Sequence, residues 1–275
     1  MPTLYVVATP IGNLEDISLR ALRVLKEVRL IAAEDTRHTR KLLTHYQIAT
    51  PSTSYHEHNK GEKLGYLLEK LAQGDVALVS DAGTPGMSDP GFELIAAAIR
   101  QNVAVVPIPG PAVVITALVV SGMPLYPSLF VGFLPNRAGA RRRELEKIQA
   151  FEGTIIALEA PHRLPAALKD LLATLGDRQV AVCRELTKVH EEVFRGSLSR
   201  AIAHFKAPKG EITLVIAGSP PKAPPQMTDE IKNRLAGMHA AGEKAKNAVS
   251  ALVGETGLGR RELYQAWLEI TGQIK

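Results

Sequence analysis

Over its first 120 residues the chain alternates short apolar runs with segments whose apolar residues recur every three or four positions, and this alternation restricts it to one architecture. Leu4 to Ala8, Leu30 to Ala33, Ser52 to Tyr55, Val76 to Ser80 and Val103 to Ile108 read as strands. The spacing between them predicts four helices. The first is capped by Asp16 and carries Leu19, Leu22, Leu25 and Val28; the second runs from about Thr39 to Tyr46. The third passes through Leu64, Leu67, Leu68 and Leu71, and the fourth covers Phe92 to Arg100. Strands and helices in strict alternation make βαβ units, hence a parallel sheet with helices on its faces.

Ligands of such sheets bind beyond the carboxyl ends of the strands. Three connections leave those ends: Thr9-Pro-Ile-Gly-Asn13, Ser80 to Gly91, and Pro109-Gly-Pro111. Each combines Gly with Pro. One alone reads as an ordinary turn, but three on one rim point to ligand contact. The middle one, SDAGTPGMSDPG, is longer than a strand-to-helix connection needs. Glycines there let main chain approach a ligand closely. The loop has no lysine or arginine and matches neither GxGxxG nor GxxxxGK[ST], so phosphate is not its ligand.

The domain organisation follows from composition shifts. Residues 1–121 form the first α/β domain. Gly122-Met-Pro-Leu-Tyr-Pro127 has linker composition and opens a second α/β domain, residues 122–218. Its apolar runs are Ser128 to Leu134, Gly153 to Leu158, Gln179 to Cys183, Glu191 to Phe194 and Glu211 to Ala217, with helix patterns over 137–150, 163–175 and 198–205. Residues 219–226 form a stiff Pro-rich linker, and 227–275 a wholly helical tail. In the tail, Ala245, Ala248, Val249, Leu252 and Val253 share one helix face. Gly257-Leu258-Gly259 breaks the chain before a second face of Leu263, Ala266, Trp267 and Ile270. This fits a helix-turn-helix exposing Arg260, Arg261 and Gln265 to nucleic acid, and equally an αα-hairpin packed on its own chain or a second subunit.

A chain of 275 residues with 45% apolar and 22% charged residues has the composition of a soluble globular protein. No stretch approaches a membrane span, the longest candidate being Ala112 to Met123. The start, MPTLYVVATP, reads as a strand without a signal peptide, and a cytoplasmic location is expected. The single cysteine, Cys183, sits in an apolar run; it excludes an internal disulfide and fits a buried, inert thiol. The net charge of +5 permits a polyanionic partner without requiring one.

LYVVATPIGNLEDISLRAL, AEDTRHTRKLL, SYHEHN, VSDAGTPGMSDPG, PIPGPAVVITAL and LEAPHRL occur in this order. With them the chain resembles the tetrapyrrole methylase superfamily through both α/β domains. Within it, the chain resembles most the branch that methylates the 2′-hydroxyl of a cytidine ribose in 16S ribosomal RNA, and the helical tail fits that branch. The cobalamin and sirohaem branch tends to carry GPGD in the first loop and GDP in the second. This chain has Thr9-Pro-Ile-Gly12 and Gly83-Thr84-Pro85 there, which weakens a tetrapyrrole substrate. The resemblance implies S-adenosyl-L-methionine folded in a cleft between the two domains, a 16S rRNA or small-subunit substrate, a homodimer, and no metal.

Carried over by position, the cofactor contacts would be Pro10, Ala82, Gly83, Thr84, Met87, Pro111 and Ala112, with Glu159 and Gly196 from the second domain. Asp81 either faces the cofactor's positive charge or turns the loop. Activation of a hydroxyl needs a base or cation. Glu34, Asp35, Arg37, His56, Glu57, His58, His162 and Arg163 are available, with His56 and Asp35 preferred; Asp35 also fits a helix cap. Arg137, Arg141, Arg142, Arg143 and Lys147 on a predicted helix, with Arg260 and Arg261 in the tail, are candidates for RNA phosphates; a solvated helix face is the plainer reading. A small-precursor methyltransferase and a non-catalytic nucleic-acid-binding metabolite sensor are the competing functions.

Overall fold

A computed structural model describes residues 2–87, 91–221 and 225–272; Ser88, Asp89 and Pro90 of the second rim loop, and residues 222–224 of the Pro-rich linker, lie outside the described residues. The chain divides into two compact units, residues 1–219 and 220–275.

The larger unit is α/β and contains two sheets. Its first half runs β1 (Thr3–Val7), α1 (Leu19–Glu27), β2 (Leu30–Ala33), α2 (Thr36–His45), β3 (Ser52–Ser54), α3 (Lys60–Gln73), β4 (Val76–Val79), α4 (Phe92–Arg100) and β5 (Ala104–Ile108). These strands form a sheet of order β3-β2-β4-β1-β5 in which every pairing is parallel. All five carboxyl ends therefore share one rim. The two faces are covered separately: Val24, Leu25, Leu42 and Leu43 pack from α1 and α2, while Leu67, Leu71, Leu94 and Ala98 pack from α3 and α4.

Two helix starts differ from the sequence reading. Ser18, not Asp16, caps α1, its Oγ accepting from the Ala21 N–H at 3.1 Å. Asp16 instead closes a single 3₁₀ turn that Asn13 caps. The second helix begins earlier than predicted, at Thr36, because the Asp35 carboxylate takes the Arg37 N–H at 2.8 Å.

The second half continues through α5 (Val113–Ser121), β6 (Ser128–Phe133), α6 (Ala138–Lys147), β7 (Thr154–Glu159), α7 (Leu164–Leu175), β8 (Gln179–Arg184), β9 (Glu192–Ser197), α8 (Leu198–His204) and β10 (Ile212–Ile216). The sheet order is β6-β7-β10-β8-β9, with β6 and β7 parallel and the other pairs antiparallel. Leu145, Leu164, Leu168, Leu171 and Leu198 cover its outer face from α6, α7 and α8. On the inner face α5 lays Val114, Ala117 and Leu118 against Ile156, Ala181, Cys183 and Val215. Burial pushes the Cys183 thiol up to about 11, as befits an unreactive core residue.

One charged cluster is part of this framework. Arg141, 3% exposed, donates through Nε to Asp170 Oδ2 at 2.9 Å and through Nη1 to the carbonyls of Pro135 and Asn136. Arg142 reaches Asp170 Oδ1 at 2.7 Å from the exposed side. Burial alone would raise the Asp170 carboxyl, but bonds from Arg142 and Arg141 hold it below its ordinary value. Arg141 thus leaves the set of residues proposed for RNA, because its guanidinium is spent inside the protein.

The smaller unit packs α9 (Asp229–Ala240), α10 (Ala245–Thr256) and α11 (Arg260–Ile270) around Leu235, Val249, Leu252, Leu258, Leu263 and Trp267. Gly257, in the left-handed region at φ 72°, ends α10, and three residues later α11 begins with Arg260 and Arg261 exposed. Among the described residues no helix is long and apolar enough to cross a membrane.

Asp170→Ala strands a buried guanidinium and is expected to cost about 3–5 kcal/mol in urea unfolding. Arg142→Ala, which removes the exposed partner and leaves Asp170 bonded to Arg141, is expected to cost less than about 1 kcal/mol. Equal costs would contradict this division of roles.

Candidate functional site

The rim of the first sheet is one interlocked piece. Thr9 and Gly83 exchange N–H···O bonds in both directions at 2.9 Å, joining the loop after β1 to the loop after β4. The Thr9 hydroxyl adds a bond to the Ser80 carbonyl at 3.1 Å. At Gly110, after β5, an added Cβ would lie 3.1 Å from the Ala8 Cβ, so this loop too is pressed against the first. Gly83 has φ +77°, a conformation that side-chain-bearing residues rarely adopt, and it lies beside Ile11 and the Pro111 carbonyl. Its N–H and C=O are both engaged by Thr9. Gly83 therefore serves by shaping the rim, and not by offering a free N–H to a ligand.

A second tie orders the acidic residues at the ends of β2 and β4. The Asp35 N–H donates to Asp81 Oδ1 at 3.1 Å, and the Asp81 N–H donates to Glu34 Oε2 at 3.2 Å. Successive residues of extended chain point to opposite sides. Glu34 accordingly lines the main cavity, whereas Asp35 caps α2 and pairs with Arg37 Nη2 at 2.7 Å. Bonds from the Arg37 guanidinium and N–H hold the Asp35 carboxyl well below the carboxylate range. Burial, reinforced by Asp81 and Asp35 and opposed by the Asp81 N–H, raises Glu34.

That cavity, about 310 Å³, lies between the two sheets. Ile11, Glu34, Asp81, Ala82, Met87 and Val113 line it from the first half. Phe133, Leu158, Glu159, Ala160 and Pro161, with Glu211, Ile212 and Thr213, close it from the second. Phe133 reaches it from a bulged strand end next to Gly132, whose φ is 69°. Glu159 ends β7 with its side chain wholly buried. Its Oε1 accepts from the Ala160 N–H at 2.8 Å and from Arg163 at 2.7 Å, while Oε2 is buried without a partner. Burial raises the Glu159 carboxyl against the pull of the Ala160 N–H and Arg163. Among the described residues four acidic side chains and no basic one line this space, so it suits a cation or a hydrogen-bond donor with an apolar body.

The chain between β8 and β9 packs on the loop after β1, beside this cavity. Leu186 is buried beside Ile11, and Glu185 and Thr187 take φ values of 52° and 68°. Lys188 bridges Glu185 at 2.9 Å and Glu211 at 3.1 Å. The segment presses on Gly12, where an added Cβ would meet Lys188 Cγ at 2.5 Å and the Leu186 carbonyl at 2.9 Å.

Of the cofactor contacts expected from the sequence, Asp81, Ala82, Met87 and Glu159 line the cavity. Pro10 lies in an adjoining hollow of about 240 Å³ that shares Asp81. Thr84 accepts from the Met87 N–H in the loop turn at 3.3 Å, and Ala112 caps α5 just before the cavity-lining Val113. Gly196 lies apart from these residues. It pairs with Val180, which pairs with Ile216, whereas Glu159 pairs with Ile212 at the other end of β10. Neither preferred base lines the cavity. His56 follows edge strand β3, its N–H bonded to Asn59 Oδ1 at 2.8 Å and its Nδ1 buried without a partner. Arg137, Arg142 and Arg143 are exposed on and before α6.

The family described as Tetrapyrrole (Corrin/Porphyrin) Methylases matches residues 3–202. A Synechocystis protein named Ribosomal RNA small subunit methyltransferase I is 50% identical over 98% of this chain and 99% of its own. A protein of the same name from Halalkalibacterium halodurans is 45% identical over 96% and 94%. Among solved structures, a diphthine synthase aligns with TM-score 0.61 at 17% identity, covering 78% of this chain and 90% of its own. Uroporphyrin-III-C-methyltransferase from Thermus thermophilus aligns with TM-score 0.56 at 18% identity, covering 78% and 94%. At these identities the structures establish the fold alone.

Gly12→Ala tests the packing of the 185–191 segment on the loop after β1. The added methyl group is expected to destabilise the protein by about 1–3 kcal/mol and to speed amide exchange over Thr187–Glu191. Unchanged melting and exchange would mean that the segment yields freely.

Proposed function

The chain belongs to the tetrapyrrole methylase family, and from that premise we propose that it is an S-adenosylmethionine-dependent ribosomal RNA methyltransferase. Its acceptor on this reading is the 2′-hydroxyl of a cytidine ribose in the 16S rRNA of the small subunit. The names of the full-length relatives support an rRNA substrate. The observation that carries the reading is the cavity between the sheets, with apolar walls, acidic polar groups and no basic side chain. A phosphorylated cofactor would be repelled there. A sulfonium methyl donor is a cation with an apolar body, and the unpartnered Glu159 Oε2 asks for such a ligand.

Asp81, Ala82, Met87 and Glu159 would hold the donor, with Pro10 at its edge and Gly83, Thr84, Pro111 and Ala112 shaping the wall behind. When bound, S-adenosylmethionine supplies an electrophilic methyl group. The chain's own part is alignment. Ile11, Met87 and Phe133 offer an apolar wall, and the tied rim holds the acids in place, so orientation supplies much of the acceleration. Exposed Arg137, Arg142 and Arg143, with Arg260 and Arg261 of the helical unit, are the RNA contacts of this proposal.

A homodimer belongs to the same reading. Helix α5, VVITALVVS, is largely apolar, and beyond its packed face it leaves Ile115 and Val119 59% and 60% exposed, with Leu125 and Tyr126 exposed a few residues on in the chain. Light scattering is expected to give twice 29.7 kDa. Ile115→Asp should return the mass of one chain.

The deciding experiment is methyl transfer from radiolabelled S-adenosylmethionine to small ribosomal subunits lacking the modification. Label resistant to alkaline hydrolysis at one cytidine is the expected result. Binding of the donor without transfer to subunits or naked RNA would overturn the substrate assignment. Glu159→Gln is expected to weaken donor affinity about tenfold by calorimetry, the size of a lost charged hydrogen bond.

A further inference from the structure

Four carboxyl groups line the cavity, and they are not equivalent. Glu159 is paired with Arg163, and Glu211 with Lys188. Asp81 is occupied as the acceptor that ties the end of β2. Glu34, like Asp81, carries no ion pair among the described residues, and it is the more deeply set of the two at a strand end. Its Oε2 takes one bond, from the Asp81 N–H, while its Oε1 has no hydrogen bond and no ion pair among the described residues. It stands at the carboxyl end of β2, half-buried, on the same cavity surface as Met87 and Phe133.

We propose that Glu34 is the catalytic base, taking the proton of the acceptor hydroxyl at Oε1; the assignment rests on the methyl-transfer reading above. In the balanced step the hydroxyl oxygen forms the new O–C bond, the C–S bond breaks with its electron pair left on sulfur, and the O–H proton moves to Glu34. The step also conserves the charge of the cavity. One cation becomes neutral as one carboxylate becomes a neutral acid, so the net charge of the reacting pair is zero before and after the step.

The groups around Glu34 suit it to this task. Asp81 faces it from the loop after β4, Asp35 follows it in the chain, and His38 lies one turn into α2. Glu159 with Arg163, and Glu211 with Lys188, line the opposite wall. Burial and the two neighbouring aspartates outweigh His38 and the Asp81 N–H, and the proton affinity rises above that of an ordinary carboxylate. A carboxyl raised toward the working pH is the better base. Asp35, held low by Arg37, is the poorer one, and it does not line the cavity.

The test uses the full chain and the variants Glu34→Gln and Glu34→Asp, in two measurements. The first is calorimetry with S-adenosylmethionine and with S-adenosylhomocysteine between pH 5 and 7. In the wild type, protonation of Glu34 removes a negative charge that only the cationic ligand feels. The affinity ratio of donor to product should therefore fall as the pH is lowered. In Glu34→Gln the ratio should fall less steeply, Glu159 being the raised acid that remains, and in Glu34→Asp the full pH dependence should return. The second is single-turnover transfer to unmodified small subunits. Glu34→Gln should be slower by about 10²–10⁴-fold and lose the rising acid limb of the pH profile, while Glu34→Asp should keep that limb at a reduced rate. Wild-type transfer with a Glu34→Gln rate within about threefold and an unchanged profile would overturn the assignment and leave the function standing. Donor binding without any wild-type transfer would overturn the function itself, and the assignment with it.

Discussion

The paired hydrogen bonds between Thr9 and Gly83 join two loops that leave neighbouring strands, and the rest of the site hangs on that join. With Thr9 also holding the Ser80 carbonyl, the start of the second loop cannot drift from the end of β1. Asp81 follows immediately, so its N–H and carboxylate are delivered to Glu34 and to the Asp35 N–H. Ile11 and Gly12 follow Thr9 by two and three residues, and there the second sheet's 185–191 segment comes to rest. A few backbone bonds thus set both the acidic wall and the seat of that segment.

Much of the scaffold is legible in the sequence because parallel strands covered on both faces must be apolar throughout. Leu30 to Ala33 and Phe92 to Arg100 coincide with β2 and α4 end to end. The resemblance also placed Asp81, Ala82, Met87 and Glu159 on what proves to be the cavity lining. What the sequence hides is mostly register and side. Gly196 looks adjacent to the site until the antiparallel pairing of β8, β9 and β10 carries it to the far end of the sheet. Glu34 and Asp35 are neighbours with the same charge, and only the bonds to Asp81 and Arg37 decide which one turns inward. Arg141 is grouped with three other arginines, yet its spacing of four from Leu145 puts it on the buried face of α6. That signal was present; its partner Asp170, on another helix, was not visible from it.

Charge is distributed unevenly. A chain of net charge +5 keeps four acids and no base among the described residues lining the cavity between its sheets, while Arg137, Arg142 and Arg143 stand exposed on and before α6. Phe133, at the end of β6, links the two regions, because it lines the cavity and the chain enters α6 only five residues later. A cationic donor and a polyanionic substrate need opposite fields. On the proposed reading the change of sign falls along one connection.

That arrangement bears on how a ribose could be presented. A 2′-hydroxyl is carried next to a phosphate, and a phosphate drawn into the acidic lining would meet repulsion that burial makes stronger than in water. On the proposed reading, the nucleoside must enter while its phosphates stop at the mouth. The exposed arginines before and along α6 are the groups that can hold them there, through contacts that position the strand without reading its sequence. Buried Arg141 then has an indirect part. By fixing α6 to Asp170 and to the Pro135 and Asn136 carbonyls, it sets the distance between the phosphate-holding face and Phe133. Loss of that anchor would loosen the spacing between the two fields while leaving Arg137, Arg142, Arg143 and the cavity acids in place.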